Sequence, residues 1–586
     1  MKQADPITLE VMRNSFQSVA EEMGAALIRT ALSTNIKDRR DCSTAIYTPE
    51  GELVAQAEHI PLHLGLMVSV VKKVLEFYPV EQMTPGDAII TNDPYISGSH
   101  LPDICMISPV FVNGRCTGVL ANLAHHVDIG GIAPGGMPTI STEIFQEGLR
   151  IPPVRLRRNG TVDDEMMRLI ANNVRTSYET LGDFQAQFAA NNVGERRLKE
   201  IIAKFGTDET AFYMDELINY SERRMLAAIA ELPRGRFEFE DYLEGDGLSQ
   251  KRLSIRAVVV IEKDGILVDF TGTSLQAKGS VNSTRAVTLA CVFFVLKSVI
   301  GPELPSSAGT FRPVRVITPS GTLVNARFPA PVSNANINTA QRIADVILGA
   351  LAQGMPARVP AASTGSMSIF TIGGADSETG TYYSYVETYG GGQGAVHNAD
   401  GMSGVHTNMT NTRNTPVEVI EIAYPLRVEK YGLVPDSDGA GRFRGGLGLA
   451  REITILEHDA TISIGTERRK IRPWGLMGGG PGGPSNCWIE TAKGEPKPLP
   501  SKITTTLSPD TKIVLQTAGG GGYGDPFGRD PERVARDVAE GFISVQRARQ
   551  AYGVALDKKT GAVDKSTTAT LRQKRQLAQQ AKEEEI

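Results

Sequence analysis

The apolar residues of this chain change period near Phe237, and that change constrains the fold more than any other feature. Residues 160–230 read as mostly helical, with periodic segments at 163–190 and 208–231. From there the pattern alternates, in FEFEDYL at 237–243 and in LSIRAVVVIEKDGILVDFTGT at 253–273. Asp264-Gly265 sits between two apolar runs as a hairpin turn. A helix-period pattern does not settle as a strand, so the chain must be an α+β (mixed α/β) protein. Its 586 residues predict several domains. The reading divides them into an N-terminal α/β domain over 1–235, a central α+β domain over 236–415, a mainly β domain over 416–525 and a helical tail over 526–586.

Local signals fill in that outline. Asp5 is an N-cap and Pro6 the first helical residue of a helix running to about Leu32 along the stripe Leu9, Met12, Phe16, Val19, Met23 and Leu27. TAIYTPEGELVAQA at 44–57 reads as two strands around Pro49-Glu50-Gly51. Residues 66–78 read as helix, and 87–92, 104–112 and 117–123 as strands. Helices are expected again at 283–300 and 338–353, strand and loop at 366–395, and strands from Pro416 to Leu515, including VEVIEIAYPLRVEKYGL. Asp530-Pro531 caps a tail helix.

Charge and cysteine content exclude several classes. With 61 basic and 66 acidic residues, nothing marks a nucleic-acid or anionic-membrane surface. Five cysteines without a CxxC pair argue against a disulfide framework or zinc ribbon. No apolar signal core opens the chain and no 18-residue apolar run occurs, so a cytoplasmic location is expected.

Four chemistry-bearing residues fall within 27 positions: His100 and Asp103 in NDPYISGSHLPD, then His125 and His126 in AHHVD. His and Asp are ordinary ligands for zinc, manganese or iron. Pro102 stiffens the HxxD loop, and His125 arrives after one plausible strand pair. Asp41, in RRDCS, offers a further oxygen. Two His and one or two carboxylates leave a position open for water, whose pKa a metal lowers toward ~7. The same spacing also suits turn residues beside a strand end. His59 and His63 stand at i, i+4, but Pro61 between them disfavours a helix and favours core or loop histidines. Asn334, Asn336 and Asn338 in SNANINTAQR could hydrogen-bond a ureido or amide group, and otherwise read as simple loop amides.

The chain has no GxxxxGK[ST] loop, no GxSxG elbow and no HExxH. The Gly runs at 478–483 and 519–522 read as turns and close backbone approaches. In GGGQGAVHNADGMSG, successive N–H groups at Gly391 and Gly392 could form an anion nest. His397, Asp400 and His406 add polar groups that could face the metal loop across a cleft.

The long segments NIKDRRDCSTAIYTPEGELVAQAEHIPLHLG, GDAIITNDPYISGSHLPDICMISPVF, ANLAHHVDIGG, HNADGMSGVHTNMTNTRNTPVEVIE, YPLRVEKYGLVPDSDGAGRFRGGLG and GGGGYGDP resemble the hydantoinase B family, over about residues 5–555. The resemblance implies an ATP-dependent cyclic amidase subunit acting on hydantoins, lactams or 5-oxoproline. An actin-like A-type ATPase partner would phosphorylate the amide, in an A2B2 heterotetramer. It implies a divalent metal, zinc before manganese or iron, on His100, Asp103 and His125, with Asp41 as ligand or neighbour. His126 or Asp128 would then carry protons, and Gly391, Gly392, His397 and Asp400 would contact substrate. A ketone carboxylase subunit of the acetone type is the competing implication, and a non-catalytic scaffold the third.

Overall fold

The computed structural model describes residues 4–57, 59–96, 98–491 and 494–584. Four sheets and the helices between them form a mixed helix-and-sheet protein. The first sheet is antiparallel and has seven strands: β1 Cys42–Tyr47, β2 Leu53–Gln56, β3 Ala88–Thr91, β4 Asp103–Val112, β5 Arg115–His125, β6 Val154–Arg158 and β7 Thr161–Val162. Their order is β2-β1-β5-β4-β3-β6-β7.

Both faces of this sheet are covered, so its central strands are buried at nearly every position. The helix Pro6–Thr30 lies on one face beside Ser177–Phe205. Asp5 caps it by accepting from Thr8 N, and its stripe Met12, Phe16, Val19, Met23 and Leu27 is buried. The helix Pro61–Leu75 covers the other face, against Ala45, Tyr47, Cys105, Ile107 and Ala121. This helix starts five residues before the expected position. Pro61 does not break it, because it takes the first helical position, where no N–H is needed. His63 therefore stands in a first turn.

A second sheet holds Gly235–Leu243, Leu253–Ile261, Ile266–Asp269 and Val314–Ile317. The expected hairpin closes there by Glu262 N donating to Gly265 O. The helices Arg285–Ile300 and Ala340–Ala352 pack against each other, and the second also covers this sheet; it is buried at every position. The third sheet pairs Ile369–Ala375 and Tyr382–Thr388 with Ala460–Gly465 and Lys502–Leu507. Its hydrogen bonds thus run across residue 416. The fourth joins Leu426–Leu433, Leu449–Ile455, Lys512–Gln516, Asn486–Glu490 and Lys497–Pro498. VEVIEIA, expected as strand, is the helix Val417–Ala423; Pro416 precedes it and only Ile420 is buried. A single apolar contact on one face needs no period-2 pairing. All five cysteines are free thiols.

The glycine runs pack on one another. A Cβ on Gly392 would lie 2.1 Å from Gly446 O and 2.2 Å from Gly520 N, so three backbone segments meet where no side chain fits.

The sheets are also joined by buried charge. Arg468 is fully buried and pairs with Asp241 at 2.9 Å and Asp345 at 2.5 Å; Arg342 faces Asp241 and Glu467, and Lys502 also pairs with Glu467. Removing one member strands an uncompensated charge in the interior. Arg468→Ala is expected to cost about 3–5 kcal/mol in denaturant unfolding. Arg115→Ala, which breaks an exposed pair with Asp208, is expected to stay within about 1 kcal/mol.

Candidate metal centre

The site begins with a turn. Strands β4 and β5 are joined by Asn113-Gly114, with φ of 50° and 80°, as a two-residue hairpin requires. That turn alone would set Asp103 opposite Ala124. Between Val110 and Phe111 the register shifts by one, leaving Thr117 as a bulge, and Asp103 comes to pair directly with His125. Directly opposite residues share a face. One rung beyond β1, His125 N donates to Asp41 O at 3.0 Å, so Asp41 joins the same row. Three strand ends thus present Asp41, His125 and Asp103 toward the helix Pro61–Leu75.

His100 enters from the HxxD loop. The turn reading of that loop is also correct, because Asp103 N donates to His100 O at 3.1 Å. The backbone closes the turn and leaves both side chains for the cavity. His100 Nδ1 lies 3.3 Å from Ser333 O. A carbonyl only accepts, so Nδ1 carries the proton and Nε2 directs a lone pair inward. That lone pair is 3.1 Å from His125 Nδ1 and 3.3 Å from Asp103 Oδ2. His125 Nδ1 is 2.8 Å from Asp103 Oδ1. Asp103 Oδ2 also accepts from Ser99 Oγ and, at 3.3 Å, from Asn336 Nδ2.

Burial alone disfavours the Asp103 anion, yet His100, His125 and His63 hold its carboxyl well below the usual range. Burial likewise pulls His100 down, but the Asp103 carboxylate outweighs it and the net shift is upward. Ser333 is held in turn by Glu147, which accepts from Val332 N and Ser333 N. Burial pushes the Glu147 carboxyl up to about 7 against those two donors.

The donor set fits a divalent cation. One ligand atom each from His100, Asp103 and His125 lies within 4.8 Å of the others, and all three residues are buried. With Nδ1 of His125 also facing inward, its Nε2 has no partner among the described residues. Two imidazole nitrogens and a carboxylate converging on one point are a ligand set that suits such an ion. Asp41 lines the same cavity but stands outside the close group.

Two lining residues stand outside the expected set: His63, read from the sequence as a core or loop histidine, and Arg39. His63 Nε2 is 3.8 Å from Asp103 Oδ2, and its Nδ1 is 3.2 Å from Ser43 Oγ. Its signal was the Ile60-Pro61 helix start. Arg39, two residues before Asp41, is buried in the wall; it donates to Val386 O and Thr388 Oγ1, both at 2.8 Å. Of the three asparagines only Asn336 reaches the cavity. Asn334 donates to Pro138 O, and Asn338 accepts from Ser366 Oγ.

The other expected residues lie elsewhere. His126 follows His125 on a strand end and therefore points to the opposite face. Gln187 donates to Ile104 O and Asn122 Oδ1, which turns its own oxygen toward His126 Nε2 at 3.2 Å. The His126 ring packs on Phe184, and burial lowers its pKa. Asp128 braces a loop by accepting from Gly130 N, Gly135 N and Arg175 N. The anion nest is spent: Gly391 N donates to Val405 O and Gly392 N to Ala518 O. His397 is exposed on a turn closed by Val396 N and Ala399 O. Asp400 ties down the tail through Arg529 at 2.6 Å and Arg533 at 2.7 Å. His406 stands one layer back, 3.4 Å from Thr412 Oγ1, its pKa pushed down to about 3 by burial and Arg39.

The family model described as Hydantoinase B/oxoprolinase matches residues 5–526. The chain is 43% identical to an uncharacterized protein of Methanocaldococcus jannaschii, over 97% of this chain and 100% of that one. It is 33% identical to the beta chain of a caprolactamase of Pseudomonas jessenii, over 97% of this chain and 99% of that one. The crystal structure of ATP-dependent caprolactamase from Pseudomonas jessenii matches with a TM-score of 0.90 at 31% identity, covering 97% of this chain and 100% of that chain. A nucleotide-free acetone carboxylase structure also matches with a TM-score of 0.90, at 20% identity over 99% of this chain and 84% of that chain, and so shares the fold.

Metal analysis of the purified chain is expected to find close to one divalent ion. His100→Ala and Asp103→Ala should each lose it by at least tenfold in affinity, whereas His126→Gln should keep it and lower the melting temperature instead.

Proposed function

The chain belongs to the hydantoinase B/oxoprolinase family, and on that footing we propose that it is the β-type subunit of an ATP-dependent cyclic amidase of hydantoinase or lactamase type. The observation that carries this reading is the buried convergence of His100, Asp103 and His125. The chain itself has no P-loop motif, which fits the family resemblance, and on that resemblance the ATP chemistry is assigned to an A-type subunit with an actin-like ATPase fold, in an A2B2 assembly. Among the described residues no helix is long and apolar enough to cross a membrane. A cytoplasmic setting is part of this proposal.

A ring amide is stabilised by resonance, so its carbonyl needs activation before water attacks. His100, Asp103 and His125 would hold a divalent metal, zinc first and manganese or iron on the same ligand types, with Asp41 as neighbour or fourth ligand. When bound, such an ion polarises an oxygen and makes water nucleophilic near neutral pH. The chain's own residues do the rest. Ser333 and Asn336 fix His100 and Asp103 in place. Arg39 has carbonyl and hydroxyl acceptors but no carboxylate partner among the described residues. Its charge therefore stays available for an oxyanion or phosphate at the cavity. His63 replaces His126 as the proton carrier, because its Nε2 faces the cavity and its Nδ1 is tied to Ser43. Walls of Ile60, Leu62, Ile337, Met367 and Met409 keep bulk water out.

Co-expression with an A-type subunit and a screen of hydantoins, lactams and ketones tests this reading. ATP-dependent ring opening without bicarbonate is expected, and only with both subunits. Incorporation of bicarbonate into a ketone would select the carboxylase instead, and ATP turnover by this chain alone would refute the division of labour. In the active complex, Arg39→Ala is expected to lower kcat by about 10²-fold or more with metal content unchanged.

A further inference from the structure

Two of the three candidate ligands lean on one strap of chain. Residues 330–336 are buried throughout and lie in no sheet. Ser333 O meets His100 Nδ1 at 3.3 Å, and three residues later Asn336 Nδ2 donates to Asp103 Oδ2 at 3.3 Å. A buried segment without regular partners must place each of its own polar groups. Pro331 O accepts from Asn282 Nδ2 at 3.1 Å. Asn334 N donates to Ser280 O at 2.9 Å, and Ser333 Oγ to Pro138 O at 2.7 Å.

The N–H groups of Val332 and Ser333 converge on one side chain. Glu147 follows the short turn Ile144–Gln146 and is 1% exposed. Its Oε2 accepts from Val332 N at 2.9 Å, and its Oε1 from Ser333 N at 3.0 Å and Ser141 Oγ at 2.7 Å. All of these donors are neutral, and Glu147 has no ion pair among the described residues. A carboxylate kept in a core by neutral donors alone is costly, and burial pushes its pKa up to about 7. A neutral amide oxygen could close the strap without that cost. What the charge adds is strength, because two successive N–H groups form a nest for an anion, and hydrogen bonds to an ionised acceptor are roughly twice as strong as neutral ones.

We propose that Glu147 is a positioning residue for the metal centre: its carboxylate draws in Val332 N and Ser333 N, and so sets where Ser333 O and Asn336 meet His100 and Asp103. Glu147 touches neither ligand and acts through the strap. The proposal rests on the metal reading of His100, Asp103 and His125. Few other groups change charge around it. Ser141, Val332 and Ser333 only donate to it. Tyr95 stands nearby with Asp93 and Arg150, and burial together with the Glu147 and Asp93 carboxylates pushes its phenol up, so it stays protonated. His100, beyond Ser333, is the titrating group on the other side of the strap.

The test measures zinc(II) affinity of the full metal-free chain against a competing chelator, at pH 6 and pH 8. Glu147→Gln keeps the shape but loses the charge and one acceptor. The ratio of wild-type to Glu147→Gln affinity cancels the protonation of the histidine ligands, which both chains share. That ratio is expected to be about tenfold or more at pH 8. It should fall below about threefold at pH 6, where the wild-type carboxyl is itself protonated. His126→Gln, a buried change away from the centre, should keep wild-type affinity at both pH values even as its melting temperature falls. A ratio near one at pH 8, or a large ratio equal at both pH values, would overturn the proposal. If Glu147→Gln does not fold, Ser141→Ala takes its place: losing that donor raises the carboxyl further, so zinc affinity should weaken more at pH 7 than at pH 8, and an equal change would overturn the proposal. A wild-type chain that binds no zinc would end the metal reading as well, whereas tight zinc binding with a ratio near one would end only the role of Glu147.

Discussion

One extra residue in one strand organises the site. Without the bulge at Thr117, β5 would offer Ala124 opposite Asp103 and turn His125 toward Pro102. With it, a carboxylate and an imidazole sit face to face at the end of a buried antiparallel pair, and β1 adds Asp41 along the same row. The geometry is then fixed by backbone hydrogen bonds rather than by flexible loops. Such a placement suits groups that must be held within a fraction of an ångström. The cost of collecting polar groups in a core is offset in part by hydrogen bonds among them. Asp103 receives Ser99 and Asn336, His100 has Ser333, and His63 has Ser43.

The remainder of the fold closes over this row. Asn336 comes from the turn that leads into the helix Ala340–Ala352, and Val386 and Thr388 from the third sheet. Arg39 bridges to that sheet through Val386 O and Thr388 Oγ1, so the first and third sheets meet at the cavity wall. The buried network around Arg468 ties the segment after the third sheet to the second sheet through Asp241 and to the helix Ala340–Ala352 through Asp345. Cavity and junction are one feature, and a site at a junction can be opened or closed by small shifts between packed layers.

Much of this is legible in the sequence wherever signals are local. The helix Pro6–Thr30 announces itself through Asp5-Pro6 and a clean stripe. The β4–β5 hairpin shows in its apolar runs, and the HxxD loop in His100 and Asp103. What depends on long-range placement is lost. Pro61 between His59 and His63 looks like a breaker, although a proline at a first helical position is neutral, and so His63 is set aside as a core or loop histidine. His126 reads as a helper because it adjoins His125, although period-2 geometry sends neighbours to opposite faces. Gly391 and Gly392 look like an anion cradle, but segments from elsewhere in the chain claim their N–H groups. Asp400 looks like a substrate contact, and only the distant tail arginines reveal a tether. Arg39 carries no motif, because its acceptors at Val386 and Thr388 stand 347 and 349 residues away.

A second cavity follows from the same alternation that placed the ligands. A thin wall with side chains on both faces separates two chambers, one water-sized beside the three ligands, the other larger and lined in part by Phe293 and Phe311. Gly65 makes this possible. A Cβ there would lie 2.1 Å from Ala290 Cα, so only glycine lets the helix Pro61–Leu75 approach Arg285–Ile300 this closely. The approach presses the first turn, with His63 on one side and Pro61 on the other, into a partition. At the centre itself a space of about 30 Å³ has room for roughly one or two waters beside His100, Asp103 and His125.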